Sequence, residues 1–293
     1  MSYFYQYIAN ISIKYNLKIF YKIFFNLFKY FLKKRIILNF IKYKFIANPE
    51  KKELSRWMIR NIKIWDESII NIIIKNIKDN NSTFIDVGCN YGAYSIPVAK
   101  IKNEINVYCF DPSQSSLDKL TDNIQLNKIK NIKKFKIGIG DKEKIVFFDD
   151  NLKNYKNSGS YRINSNEIGT KIKINSIDNL IEKKIINPKK NIYIKLDIEG
   201  YEFFALQGLI KTLKKYNVIV FFEFSKRILD NHKNLETEFS SFLKENNLKI
   251  YNINFIEQKL KNLFLNIKKL NNNQEVLDNF ILVNNLKKIN YNI

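Results

Sequence analysis

Two apolar segments of the chain end in residues that could hold a ligand. The first reads Thr83-Phe84-Ile85-Asp86-Val87-Gly88-Cys89-Asn90-Tyr91-Gly92, a strand-like run that leads into a glycine-punctuated loop and then a helical pattern. Glycine lets backbone N–H groups approach a ligand closely, and a helix N-terminus favours a negative group such as a carboxylate. Asp86 could accept hydrogen bonds from the loop or fix a cationic group. The candidate binding residues of this segment are Asp86, Gly88, Asn90 and Gly92.

The spacing of this loop differs from that of dinucleotide-binding folds. It reads Gly-x-Asn-x-Gly, so Asn90 occupies the position at which a dinucleotide pyrophosphate needs a bare glycine. The loop therefore argues against NAD and for a smaller cofactor. An ordinary β–α turn is the alternative explanation of a glycine pair after a strand.

Two further acidic residues follow the next strand-like runs. Asp111 ends Val107-Tyr108-Cys109-Phe110 about twenty residues after the loop, where doubly wound folds read a ribose diol. It could instead cap the next helix, as could Ser113. Asp141, in Gly138-Ile139-Gly140-Asp141, could reach an adenine amino group, although Gly-Asp also reads as a plain turn. Together the loop and Asp111 indicate a ligand that contains adenosine.

The second ligand-holding segment is Ile194-Lys195-Leu196-Asp197-Ile198-Glu199-Gly200-Tyr201-Glu202. Strand alternation predicts that Asp197 and Glu199 lie on the same side if the extended geometry persists. Carboxylates this close raise one pKa unless a lysine, a metal or hydrogen bonds compensate. Such a cluster at the carboxyl edge of a parallel sheet indicates a functional site. Helix capping by Glu199 and Glu202 is the alternative.

The elements that must position these residues form an α/β pattern. Short β-branched runs alternate with helical segments, which predicts a parallel sheet covered on both faces. Helices are predicted at about 50–78, 92–101, 113–127, 176–185, 200–215 and 233–246. The predicted core strands are Thr83–Gly88, Ile105–Asp111, Ile132–Ile137, Ile192–Asp197 and Val218–Phe224. Short strands at Lys144–Phe148 and Lys171–Ile174, and two closing strands at Leu248–Phe255 and Asn279–Asn284, complete the pattern.

Residues 1–49 differ in composition from the domain predicted over residues 50–293. They carry nine basic residues and no acidic one, and lysines recur at helical spacing among aromatic side chains. This pattern predicts a helical extension that lies in a membrane interface or packs on protein. No lysine-free run approaches the length of a membrane span. We therefore expect a cytoplasmic protein, with peripheral contact at the inner membrane face through residues 1–49.

The overall composition excludes several classes of site. The net charge of +22 would suit a nucleic-acid partner, but it comes almost entirely from lysine. Because nucleic-acid recognition favours arginine, the scarcity of arginine argues against such a partner. Cys89 and Cys109 are too few for a disulfide framework and lack metal-ligand spacing, which predicts buried free thiols. His232 is the only histidine, and no metal site is predicted.

Three stretches together resemble one family. FIDVGCNYGAYS, VYCFDPS and IYIKLDIEGYEFFALQG, the last followed by IVFFEFS, are similar to the FkbM family of methyltransferases over about residues 80–225. Cys89 stands where the family usually has alanine, and Asp111 where it usually has glutamate. The resemblance implies a class I, Rossmann-like, doubly wound and mostly parallel seven-stranded sheet. It also implies S-adenosylmethionine (SAM) as cofactor and O-methylation, often of a sugar or polyketide hydroxyl.

Methylation of a sugar hydroxyl would need a base, because the neutral alcohol is a poor nucleophile. Asp197 is the first candidate, followed by Glu199, by Glu223 in the apolar run Phe221-Phe222-Glu223-Phe224, and by His232. A carboxylate-bound divalent cation could assist, although no ligand spacing requires one. The alternatives are a nucleic-acid methyltransferase and a non-catalytic membrane-surface adaptor. The place after the fourth strand holds Asp-Ile-Glu-Gly rather than the Asn/Asp-Pro-Pro-aromatic motif common in amine methylation.

Overall fold

The structure is a computed structural model. It describes residues 36–47, 66–149, 162–164, 169–225, 234–259 and 276–283, apart from positions 41, 78 and 255. Isolated positions at 7, 8, 11, 15, 23, 58, 64, 262, 263 and 266 are also described. His232 and most of residues 1–35 lie outside this part of the chain. The predictions made for them are therefore neither supported nor contradicted.

Strands and helices alternate through the described chain. The strands are β1 (Ile36–Asn39), β2 (Lys44–Ala47), β3 (Ser82–Val87), β4 (Asn106–Phe110), β5 (Ile132–Phe135), β6 (Gly138–Ile139), β7 (Lys144–Asp149), β8 (Arg162–Asn164), β9 (Thr170–Asn175), β10 (Asn191–Leu196), β11 (Asn217–Ser225), β12 (Lys249–Asn252), β13 (Glu257–Gln258) and β14 (Val276–Val283). The helices are α1 (Glu67–Asn76), α2 (Ser95–Ile101), α3 (Gln114–Asn127), α4 (Ile177–Glu182), α5 (Glu202–Gln207), α6 (Ile210–Lys215) and α7 (Leu235–Glu245).

The main sheet has the spatial order β13-β12-β14-β11-β10-β3-β4-β5. The five strands from β11 to β5 are parallel, and β14 runs antiparallel between β11 and β12. The predicted seven-stranded, mostly parallel sheet is confirmed, with the two-residue β13 added at one edge. The chain order reverses between β3 and β10, and at such a switch point the crevice outside the strand ends is where ligands bind.

Apolar side chains cover the sheet on both faces. One face packs against α1, α2, α3 and the β1–β2 hairpin, and its core contains Phe84, Val107, Tyr193, Phe221 and Ile281. The opposite face packs against α4 to α7. Strands buried on both faces need near-continuous apolar runs, which explains why the sequence located them within one or two residues.

A separate four-stranded sheet, β6-β9-β7-β8, occupies the chain between β5 and α4. Strands β7 and β9 correspond to the short strands predicted at Lys144–Phe148 and Lys171–Ile174, whereas β6 and β8 were not predicted. No helix in the described part of the chain is both long and apolar enough to cross a membrane.

The helical prediction for residues 1–49 is wrong over its last part. Ile36–Asn39 and Lys44–Ala47 form an antiparallel hairpin, and its side chains Leu38, Phe45 and Ala47 are buried in the domain core. This hairpin therefore belongs structurally to the domain that was predicted to begin at residue 50. The sequence pattern missed it because the surface it covers lies on α3, far along the chain.

Candidate functional site

The glycine loop after β3 is held by hydrogen bonds within the protein. Gly88 and Cys89 both donate their N–H groups to the carbonyl of Phe110, and Gly92 donates to the carbonyl of Cys89. The N–H of Asn90 donates to Asp111 Oδ2 at 2.9 Å. These four N–H groups are therefore bonded within the protein, which corrects the expectation that they would face a ligand. Their hydrogen bonds shape the loop.

Glycine is needed at both loop positions for reasons of packing. Gly88 has φ 79° and Gly92 has φ 93°, the left-handed region that other residues rarely adopt. A Cβ at Gly88 would lie 1.9 Å from the carbonyl oxygen of Asp197, and one at Gly92 would lie 2.6 Å from a Leu120 methyl carbon. The two glycines thus let β10 and α3 approach the loop closely.

Asp86 lies at the end of β3 and is almost completely buried. Its Oδ2 accepts a hydrogen bond from the Ser95 hydroxyl of α2, whereas its Oδ1 is buried without a hydrogen-bond partner. Burial raises the pKa of Asp86 to about 7, although the Ser95 hydrogen bond opposes this. Asn90 Oδ1, in the adjoining loop, is also buried and unpartnered. Two orphaned acceptors so close in sequence fit a ligand that brings N–H donors.

Asp111 ties the second strand to the loop. Its Oδ1 accepts from the N–H of Ser113 at 2.8 Å, while Oδ2 accepts from Asn90. Burial raises the pKa of Asp111 to about 6, and the two backbone donors oppose the shift. A carboxylate has about four lone-pair sites, so two remain that a ribose diol could use. Ser113 itself caps α3, accepting from the N–H of Ser116.

Asp141 makes a different contact from the one predicted for it. Its Oδ1 forms an ion pair with Lys144 at 2.7 Å, and the Lys144 ammonium lies over the rings of Tyr201 and Phe204. The predicted contact between Asp141 and an adenine amino group stays a prediction.

The segment after β10 differs from its sequence-based prediction. The strand ends at Leu196, and Glu199 (φ 56°) and Gly200 (φ 101°) adopt left-handed backbone conformations. Strand alternation therefore does not pair Glu199 with Asp197, because the extended backbone on which that prediction depended does not persist. The charge of Asp197 raises the pKa values of four other carboxyl groups: Glu223 of β11, Glu202 of α5, Asp86 and Asp111.

Register places Asp197 beside Glu223. Leu196 is level with Phe222 of β11, so the residues that follow them, Asp197 and Glu223, are neighbours at the sheet edge. Glu223 in turn is paired with Asn279 of β14. Burial and the charge of Asp197 raise the pKa of Glu223 to about 8. Glu223, predicted from an isolated charge in an apolar strand, therefore does belong to the cluster.

Lys195 is the one fully buried lysine among the described residues, and the sequence-based search for site residues missed it. Its Nζ donates to Asn279 Oδ1 at 3.1 Å and lies 5.1 Å from the centre of the Tyr94 ring. Burial alone would lower the pKa of Lys195, but the charges of Asp197, Glu223 and other carboxylates raise it overall. The lysine is thus the cation that balances this group of acids. A charged residue within Ile-Tyr-Ile-Lys-Leu was the available signal, the same signal that identified Glu223.

Three more residues complete the cluster. Tyr94 donates its hydroxyl proton to Asp66 Oδ2 at 2.6 Å, and the charge of Asp66 acts on both Lys195 and Glu223. Glu202 Oε1 accepts from the N–H of Ile198, which is close to the capping role considered for it, while its Oε2 is buried without a partner. Burial raises the pKa of Glu202 to about 7.

No group of three or more His, Cys, Asp or Glu in the described chain is arranged to hold a metal ion. Cys89 and Cys109 are buried free thiols, as predicted.

Comparison with known proteins identifies the family. The profile described as the methyltransferase FkbM domain matches residues 86–267, which is more than half of the chain. The chain belongs to the FkbM methyltransferase family. The predicted resemblance is thereby confirmed, and the doubly wound, mostly parallel sheet agrees with the Rossmann-like fold that the resemblance implies.

Individual relatives share only a low sequence identity with the chain. The chain is 24% identical over 164 residues to the hexuronic acid methyltransferase AglP of Haloferax volcanii. That match covers 56% of this chain and 64% of AglP, a little under two thirds of the relative's length.

Similar solved structures also share little sequence identity with the chain. An FkbM methyltransferase from Methylobacillus flagellatus KT aligns with a TM-score of 0.42 and 12% identity, covering 78% of this chain and 52% of that one. TYW2 of M. jannaschii, in complex with AdoMet, aligns with a TM-score of 0.41 and 13% identity, covering 85% and 84% of the two chains.

Proposed function

We propose that this FkbM-family enzyme transfers the methyl group of SAM to a hydroxyl oxygen of a sugar, in a surface glycan or a related metabolite. The observation that carries the proposal is the position of Asp197. Its charge acts on Asp86 and Asp111 on the cofactor side and on Glu223 and Lys195 on the other side. A carboxylate between a cofactor site and a second polar group is suited to take a proton from an acceptor.

The residues of the β3 and β4 edge fit SAM. The orphaned oxygens of Asp86 and Asn90 suit the ammonium group of the methionine moiety, which has three N–H donors. Asp111 has lone pairs left for the ribose hydroxyls, and Asp141 remains the candidate for the adenine amino group. Bound there, SAM supplies an electrophilic methyl group on a positively charged sulfur. The surrounding carboxylates would stabilise that positive charge.

Asp197 is the proposed base. It would accept the hydroxyl proton as the new C–O bond forms and the methyl–sulfur bond breaks. Glu223 is the second candidate, and its raised pKa suits proton transfer near neutral pH. Glu199 is a weaker candidate because its left-handed backbone breaks the extended geometry that would align it with Asp197. Nothing in the described residues bears on His232.

Lys195 and Asn279 would orient this pair of carboxylates. The Nζ–Asn279 hydrogen bond fixes the lysine beside the position on β14 that faces Glu223. A fixed cation favours the ionised form of nearby acids, so Lys195 would favour an ionised Asp197 despite its crowded surroundings.

The type of acceptor can be tested with methyl-labelled SAM. Purified full-length protein would be incubated with neutral glycosides, with hexuronates and with RNA, and the products treated with alkali. Methylation of a hydroxyl predicts label in a sugar that survives alkali, since a methyl ether is stable and a methyl ester is not. Alkali-labile label would show carboxyl methylation and contradict the proposal, as would transfer to RNA alone.

Membrane contact through residues 1–49 stays a separate proposal, supported by their nine basic residues. The hairpin at 36–47 packs in the domain core, so deletion should stop before it. We expect loss of residues 2–33 to reduce sedimentation with anionic vesicles. Unchanged sedimentation would contradict membrane contact. The alternative of a non-catalytic adaptor would require full-length protein that binds these vesicles but not SAM.

A further inference from the structure

The helix that follows Asp111 contacts the glycine loop a second time. Asn123, in the third turn of α3, is 1% exposed. Its Nδ2 donates to the carbonyl oxygen of Tyr91 at 3.0 Å, within the loop. Its Oδ1 accepts from the N–H of Ile46, in strand β2 of the hairpin, at 2.8 Å. One side-chain amide thus connects the loop on one side with the N-terminal hairpin on the other.

A neighbouring residue of the same helix, Asn127, hydrogen-bonds the hairpin and α3 itself rather than the loop. Asn127 lies one turn further along α3, and its Oδ1 accepts from the N–H of Lys44 at 2.7 Å. Its Nδ2 donates to the carbonyl oxygen of Lys44 at 2.7 Å. Residues four apart lie on the same helix face, so the two asparagines follow the edge of β2 as a neighbouring strand would.

Aromatic packing makes a second connection between the hairpin and the loop. The rings of Phe45 and Tyr91 meet edge to face, with centroids 5.9 Å apart and planes at 88°. The Tyr91 hydroxyl contacts the sulfur of Met58 at 3.0 Å. Phe45 is completely buried, so this contact is part of the core.

Two adjacent residues of the loop are therefore held by side chains in α3 or just before it. Asp111, just before α3, holds the N–H of Asn90, and Asn123 holds the carbonyl of Tyr91. The peptide between Asn90 and Tyr91 lies between these contacts, and Asn90 carries the orphaned oxygen assigned to the cofactor. A shift of that peptide would move the Asn90 side chain, and small displacements of a binding group weaken binding.

We propose that Asn123 is a positioning residue for the cofactor loop and that the β1–β2 hairpin keeps it in place. This rests on the proposed function only in taking SAM as the ligand of the loop. Asn123 acts through Asn90 and Tyr91 and does not itself contact the ligand. The hairpin, part of the segment set apart by its composition, thereby helps to hold the cofactor loop in place.

A pair of identical substitutions separates loop positioning from general destabilisation. Asn123→Asp keeps the acceptor for the Ile46 N–H but loses the donor to Tyr91 O. Asn127→Asp keeps the acceptor for the Lys44 N–H but loses the donor to Lys44 O and to the carbonyl oxygen of Asn123. Both place a carboxylate at a buried position of one helix face, so their stability costs should be similar. Only the first removes a hydrogen bond to the loop.

Calorimetric titration of the full-length variants with SAM would measure the difference. Loss of one buried hydrogen bond predicts about tenfold weaker binding for Asn123→Asp and less than about twofold for Asn127→Asp. Equal affinities in the two variants would overturn the proposal. If wild-type protein binds no SAM, the proposed function fails instead, and the two failures are thus distinguishable.

A milder pair serves if either asparagine variant does not fold. Phe45→Leu removes the ring contact with Tyr91, whereas Phe40→Leu changes a ring whose aromatic partners among the described residues are Tyr43 and Phe45 of the hairpin. We expect about threefold weaker SAM binding in the first variant and no change in the second. Equal binding by the two variants would contradict the role of the hairpin.

Discussion

The two halves of the sheet's carboxyl edge hold their acidic groups in different ways. On the β3–β4 side, Asp86 and Asp111 accept hydrogen bonds from Ser95, Asn90 and Ser113, which fix the geometry of a loop. On the β10–β11 side, Asp197 and Glu223 lie level with each other above the buried Lys195. The first half is built from directional hydrogen bonds and the second from opposing charges.

This difference suggests a division of labour. Directional bonds hold a binding site rigid, which suits a cofactor of constant shape. Opposing charges keep protonation states close in energy, which suits a group that must take up a proton. Changes on the first side should therefore alter affinity for SAM, whereas changes on the second should alter turnover, stability and their dependence on pH.

The largest effect is expected at Lys195. Lys195→Met leaves Asp197, Glu223, Asp66 and Glu202 without their buried cation, so we expect the free energy of unfolding to fall by about 3 kcal/mol at pH 8. The loss should be smaller at pH 6, where the acids can take up protons instead. Urea denaturation would measure both.

The control is the same substitution at an exposed ion pair. Lys211 pairs with Glu182 at 2.6 Å on the surface, and Lys211→Met should change the urea midpoint little. Equal destabilisation by the two variants would show that Lys195 does not balance a buried cluster.

The next largest effect concerns the base. Asp197→Asn should reduce methyl transfer by at least about a hundredfold and leave the dissociation constant of SAM within about threefold of wild type. Transfer from labelled SAM to a responsive glycoside, together with calorimetry, would measure the two quantities. Glu199→Gln is the matched control and should retain most activity, because the left-handed backbone at Glu199 breaks the alternation that would align it with Asp197. Near-normal turnover in Asp197→Asn would remove Asp197 as the base.

A smaller effect is expected on the cofactor side. Asp111→Asn replaces one acceptor oxygen by an amide that opposes a backbone N–H, so SAM should bind about tenfold more weakly. Turnover at saturating SAM should change little. Asp118→Asn, an exposed carboxylate of α3 that accepts from Gln114, should leave binding unchanged. If Asp111→Asn lowered turnover without weakening binding, the division between the two halves would be wrong.

The last predicted effect needs no substitution and concerns stability as a function of pH. The pKa values of Asp111, Asp86, Glu202 and Glu223 are raised to about 6, 7, 7 and 8 in the folded chain. Between pH 5 and 8 the folded state then binds more protons than the unfolded state, and stability falls as pH rises. We expect the free energy of unfolding to fall by at least about 2 kcal/mol across this range, measured by urea unfolding at fixed ionic strength.

Bound SAM should reduce this slope. Its positive charge would favour ionised carboxylates in the folded state and bring their pKa values back toward those of the unfolded chain. Stability that rose between pH 5 and 8 without SAM would contradict the raised pKa values.

Much of the fold could be predicted because its signals are local. Apolar runs bounded by glycine and acidic residues located β3, β4, β10 and β11 and the loop at Asp86–Gly92. The residues that determine the exposed face of a helix, its caps and the end of a strand lie within a few positions of that feature. A local pattern in the sequence therefore reveals them. Asp111 was found in the same way, as the last residue of a strand at a known distance from the loop.

The remaining features depend on residues far apart in sequence. Asp197 and Glu223 are neighbours through the register of two strands, and the pairing of Asp197 with Glu199 failed because the backbone turns left-handed at Glu199. The hairpin at 36–47 was missed because its partners, Asn123 and Asn127, lie about 80 residues away. Such contacts leave no periodic pattern in the sequence.

Calorimetric titration of the full-length protein with SAM and, separately, with NAD tests the cofactor assignment most directly. We expect one SAM site in wild-type protein, similar affinity in Asp197→Asn, weaker affinity in Asp111→Asn, and no binding of NAD. Absence of SAM binding, or tight binding of NAD, would contradict the assignment of the Asp86–Gly92 loop as the cofactor site.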